Sequence, residues 1–145
     1  MTDGNKITIK TLLSAIIPIL IGVAVYVYFR PDTYISGIIA DKTGLLSSFV
    51  PGRDDNMLIK FCRYYLCDIV WAFALPNALF LAFEADPEWI NLIGAITMAM
   101  ILLSEVLQVF SVIPGTGDLM DVIMEICSAA AAIILIKKRI LEEKL

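Results

Sequence analysis

The feature that most limits what this chain can fold into is a series of long stretches nearly free of charge. Between Lys10 and Arg30 lie nineteen residues, Thr11 to Phe29, without one Asp, Glu, Lys or Arg. At 1.5 Å per residue a helix of that length measures about 28 Å, the thickness of a hydrocarbon core. Three more apolar stretches follow, over about 58–83, 89–110 and 118–136. The chain is 59% hydrophobic and 18% charged. A soluble domain is about 45–50% apolar and about 25% charged, and one this small could not hide the excess. The expected fold is an all-α integral membrane protein: a single domain forming a four-transmembrane-helix bundle.

Local signals set the boundaries. The first stretch follows Lys6 and Lys10, as a signal peptide would. However, Val25-Tyr26-Val27-Tyr28-Phe29 is bulky where cleavage requires small residues, and its aromatic rings suit a membrane interface. Pro18 falls mid-span, which membrane helices tolerate. Residues 30–57 are too polar to cross. They carry Ile35, Ile38, Ile39, Leu45, Leu46, Phe49 and Val50 at three- and four-residue spacing, which predicts a short interfacial amphipathic segment between helices 1 and 2. Glu84-Ala85-Asp86-Pro87-Glu88 and Pro114-Gly115-Thr116-Gly117 read as tight connections. With four spans, both termini lie on one side. That side holds Lys6, Lys10, Lys137, Lys138, Arg139 and Lys144, against Arg30, Lys42, Arg53 and Lys60 on the other. The bias predicts a multi-pass cell-membrane protein with both termini cytoplasmic and residues 30–57 outside.

Several chemistries drop out. The chain has no histidine, so His-based triads and histidine metal sites are excluded. Cys62, Cys67 and Cys127 have no zinc-type pairing and read as small apolar side chains. A net charge of −4 without a basic face excludes nucleic acid as a partner. No cofactor or metal is expected.

The charges inside the spans carry the functional signal, because each costs roughly 2.5–3.5 kcal/mol at mid-bilayer and usually faces a protein interior or a wet cavity. Arg63 and Asp68 fall in the outer half of helix 2, Glu105 and Gln108 near the outer end of helix 3, and Asp118, Asp121 and Glu125 in the outer half of helix 4. Three independent spans thus place their polar residues at one depth. On helix 4, Asp118, Asp121, Glu125, Ser128 and Ala132 fall within an arc of roughly 80°, acidic at the outer end and small further in. Small residues let a neighbouring helix approach closely. Asp118 also stands where a helix N-cap is expected. Five carboxylates against one arginine need other countercharge in a low dielectric: protons, a cation or a basic ligand. A purely structural hydrogen-bonded network remains open beside a ligand pocket.

Ser104-Glu105-x-x-Gln108, a Pro-Gly turn and Asp118-x-x-Asp121 opening the last helix resemble the VanZ-like membrane proteins, over about 25 residues, 104–128. The usual arginine of the turn is absent here, Glu125 stands where an asparagine is common, and Ser128 stands where a glycine often follows. Less positive and more negative charge shifts the pocket towards cations or towards protonated acids. The resemblance implies a divergent bacterial cell-envelope protein of a family named for teicoplanin resistance, and the shared depth of the polar residues points to an outward pocket that binds a lipid-linked or glycopeptide-like ligand among the membrane lipids. Two alternatives stay open. One is a metal-dependent enzyme acting on a lipid phosphate. The other is a small transporter or accessory subunit, which would meet further copies or a larger membrane complex through the small face of helix 4.

Overall fold

The computed structural model describes residues 3–29, 56–112 and 118–143, and every regular element among them is helical. Four helices are long and apolar enough to cross a membrane. They are α1 (Asp3–Phe29), α2 (Met57–Ala82), α3 (Ile90–Val109) and α4 (Leu119–Glu143). The fold is the expected all-α four-helix bundle, and the protein is a multi-pass membrane protein by its helices. The helices overrun the apolar stretches at the terminal end: α1 begins eight residues before Thr11, and α4 continues past Ile136 through Lys137-Lys138-Arg139. The backbone hydrogen-bond ladder does not stop at the edge of the hydrocarbon. The amphipathic segment expected within residues 30–57 lies, up to residue 55, outside the described residues, as does the Pro114–Gly117 turn.

The distribution of side chains is that of a bundle solvated by lipid. Leu13, Ile17, Leu20 and Val23 of α1, Leu102 and Leu103 of α3, and Ile134 of α4 all face outward. Thr11, Asn77, Thr97, Glu105 and Glu125 are buried. Water would drive the opposite arrangement, whereas hydrocarbon favours polar groups that find partners inside. Thr97 Oγ1 donates to the Ile93 carbonyl at 2.8 Å, closing its own polar group onto its helix.

α2 and α4 form the central pair, and α1 and α3 each pack against both. The close approach of α2 and α4 follows from small side chains: Ala72 on α2 meets Ala129 on α4, with Ile101 of α3 completing that cluster. At the terminal end, Ile7, Phe80, Ile93 and Ile136, one from each helix, make a second cluster. α1 reaches α2 across Gly22, where a Cβ would stand 2.9 Å from Val70 Cγ2. The small face of α4 is thus covered by this chain's own α2.

α2 has two irregularities. Its Cys62–Leu66 turn is π-helical, an insertion that rotates the residues on either side relative to one another. Further along, Pro76 lacks an N–H, and the Asn77 side chain donates to the Phe73 carbonyl at 2.8 Å. Both α2 and α3 end in paired six-to-one and five-to-two backbone bonds. Ala85 N–H reaches Phe80 O and Glu84 N–H reaches Leu81 O in α2; Val112 N–H reaches Leu107 O and Ser111 N–H reaches Gln108 O in α3. The left-handed position, usually glycine, is held by Glu84 at φ 59° and Ser111 at φ 56°. After the first of these ends, Asp86 accepts from Glu88 N–H at 2.9 Å and opens the short turn Pro87–Trp89 into α3.

Candidate functional site: a buried acidic cluster at the end away from the termini

The helix ends opposite the termini bring together carboxylates from three helices. Glu125, one turn inside Asp121 on α4, is only 2% exposed. Its Oε1 accepts from the Trp71 indole Nε1 of α2 at 2.9 Å, while Oε2 is buried without a hydrogen-bond partner. Asp68, Glu105 and Asp121 all lie close enough to act on Glu125 electrostatically. One turn further in, Ser128 Oγ donates to the Ile69 carbonyl at 2.6 Å, pinning α4 to α2 beside the acid.

Glu105 on α3 is the second sealed carboxylate, 6% exposed, with Oε2 buried and unpartnered. The Asp118 backbone N–H acts on its carboxylate as a donor, and the charges of Asp118 and Asp121 lie near it. Ser104, beside it in sequence, bonds the Ile101 carbonyl of its own helix at 2.7 Å instead of reaching the acid. Asp118 sits at the exposed start of α4, and its Oδ1 accepts from Met120 N–H at 3.1 Å, as a cap should. Between the ends of α3 and α4 lies a cavity of about 400 Å³. Glu105 and Asp118 provide its acidic wall, and Leu102, Val109, Phe110 and Val122 are among its apolar ones.

Of the seven residues singled out in the sequence, Asp68, Glu105, Asp118, Asp121 and Glu125 come together in this cluster. Asp68 and Asp121 are half-buried and engaged, and Gln108 is half-buried one turn after Glu105. The side chain of Arg63 lies outside the described residues. The residue that sequence reasoning missed is Trp71. Its signal was present: a tryptophan inside a span, three residues after Asp68, carries an indole N–H that must find an acceptor when buried. Among the described residues no three His, Cys, Asp or Glu side chains converge as ligands for a metal ion. The cluster can instead offer acceptor oxygens, from sealed positions, to a group that brings donors or positive charge. Comparison with family models, curated proteins and solved structures finds no match to this chain.

Proposed function

We propose that this protein is a membrane-embedded binding protein whose acidic pocket takes the basic group of a membrane-borne ligand. Glu105 carries the reading. It is 6% exposed, keeps one carboxylate oxygen without a partner, and stands on the wall of the cavity of about 400 Å³ between α3 and α4. A carboxylate at membrane depth costs a few kcal/mol, and a fold with only structural needs would close its second oxygen with a donor too, or replace the acid. Asp118 on the same cavity and Asp121 beside it add negative field, so a protonated amine or guanidinium is the complementary group. The apolar cavity wall suits a lipid-linked or acylated carrier of that group.

The Glu105/Gln108 and Asp118/Asp121 spacing supports placing the chain as a divergent VanZ-like protein of the bacterial cell envelope, with a lipid-linked or glycopeptide-like ligand. The six basic residues on the terminal side against four opposite support cytoplasmic termini in the cell membrane, with the pocket opening outward. The test uses the full chain in lipid nanodiscs, with teicoplanin and a long-chain alkylamine as probes in separate titrations. Glu105→Gln keeps the shape and removes the charge, and should weaken at least one probe about tenfold while the helical circular-dichroism signal is unchanged. A folded Glu105→Gln protein that binds both probes as the unmodified chain does, or an unmodified chain that binds neither, overturns the proposal.

A further inference from the structure

At the opposite end of the bundle, two cations share a groove that the acidic pocket does not involve. Lys10 of α1 and Arg139 of α4 line a cavity of about 380 Å³ together with Ser14, Ile17, Pro18 and Phe73. Arg139 Nη2 donates to Ser14 Oγ at 2.7 Å, which fixes the guanidinium against α1, while Nη1 has no hydrogen-bond partner. Glu142 acts on Arg139 electrostatically, but its carboxylate lies 3.9 Å from the Lys138 ammonium. Among the described residues, neither Lys10 nor Arg139 has a carboxylate within ion-pair distance. An arginine fork offers five donors in one plane, and one bond to a hydroxyl leaves most of them unspent.

Depth identifies the ligand. Lys10 immediately precedes the uncharged stretch that opens at Thr11, and Arg139 stands three residues beyond Ile136, where the last apolar stretch ends. Each is within about 4.5 Å of the end of its apolar stretch, the level at which hydrocarbon gives way to phosphate. From there the groove runs deeper along apolar side chains: Ile17 and Pro18 on α1, then Phe73 on α2. Ile17 is about half exposed on the flank of the bundle, so the groove opens sideways into lipid. A soluble anion would use the two cations and leave that apolar track empty, whereas a phospholipid fills both.

We infer that this groove is a binding site for an anionic phospholipid of the leaflet on the terminal side, its phosphate between Lys10 and Arg139 and an acyl chain along Ile17, Pro18 and Phe73. Basic pockets between membrane helices hold anionic headgroups in this way. The site is distinct from the acidic pocket and does not depend on what that pocket binds.

The test titrates the detergent-purified full chain with phosphatidylglycerol and, separately, with phosphatidylcholine, reading bound lipid by native mass spectrometry. Phosphatidylglycerol should be retained in preference. Lys10→Gln and Arg139→Gln should each weaken it about fivefold, and the pair about 25-fold, with phosphatidylcholine unaffected. Lys10 makes no hydrogen bond or ion pair with another described residue, so Lys10→Gln keeps the test decisive even if loss of the Arg139–Ser14 bond unsettles the fold. Full retention of phosphatidylglycerol by Lys10→Gln, equal retention of the two lipids by the unmodified chain, or displacement of the lipid by millimolar inorganic phosphate would each overturn the inference.

Discussion

The bond between Trp71 and Glu125 allows the sharpest stability prediction. Trp71→Phe removes the indole donor 2.9 Å from Oε1, and Oε2 already has no hydrogen-bond partner, so a side chain only 2% exposed would lose its one hydrogen bond. Leaving a buried acceptor bare costs about 1–3 kcal/mol. Interhelical hydrogen bonds in membranes average about 0.6 kcal/mol and reach about 1.7, because the unfolded state in the bilayer also finds partners. A sealed acid with one donor belongs at the top of that range, so we expect a loss of about 1.5–2 kcal/mol. Adding Glu125→Leu then removes the stranded carboxylate and places a leucine beside Trp71, which packs against the apolar cluster of Ala72, Ile101 and Ala129. Replacing both partners by apolar groups is often neutral or stabilising, so the double variant should return to within about 0.5 kcal/mol of the unmodified chain. The two sites should therefore couple by at least about 1 kcal/mol. Reversible unfolding in mixed micelles, followed by far-ultraviolet circular dichroism, measures all four corners of the cycle. A double variant that loses the plain sum of the two single losses would refute the account of Glu125 as an acid held by one donor. A stable double variant would show that the fold does not need this carboxylate, and leave binding as its reason for being there.

Two further outcomes follow from the packing and the cap. Gly22→Ala places a Cβ 2.9 Å from the stiff branched side chain of Val70 and should cost about 1–3 kcal/mol in the same unfolding assay, with Val70→Ala recovering most of it; no loss in the single variant would contradict the close approach of α1 and α2. Asp118→Ala should lower stability by about 1 kcal/mol through the lost bond to Met120 N–H, whereas Asp118→Asn, an equally good cap, should keep stability and weaken only the binding of cationic probes; equal destabilisation by both would show that the charge matters more than the cap.

Much of the candidate site was legible one helix at a time. The spacing of Asp118, Asp121, Glu125, Ser128 and Ala132 places them on one face of any helix, and their depth follows from counting residues from the span end. The partners were not legible, because they come from other helices. That Ser128 would meet the Ile69 carbonyl, and Glu125 the Trp71 indole, depends on how α2 is rotated about its axis. The π-helical turn at Cys62–Leu66 changes that rotation, and no residue pattern there announced it. The ends of α2 and α3 were hidden for a similar reason: Glu84 and Ser111 take the left-handed position without the glycine that usually marks it.

The sequence alone determined that the chain crosses a membrane as four helices, since the length and charge of an apolar stretch set its cost in water and its fit to the bilayer. It also determined which residues are too costly to lie idle in hydrocarbon. Only the tertiary structure decided that the small face of α4 is covered by α2, leaving Glu105 and Glu125 sealed with one oxygen each unpartnered, and that Lys10 and Arg139, 129 positions apart, line one groove. In lipid, apolar surface does not drive helices together, so the choice of neighbours rests on close packing of small residues and on a few interhelical hydrogen bonds. Those are properties of paired surfaces, and no single helix contains them.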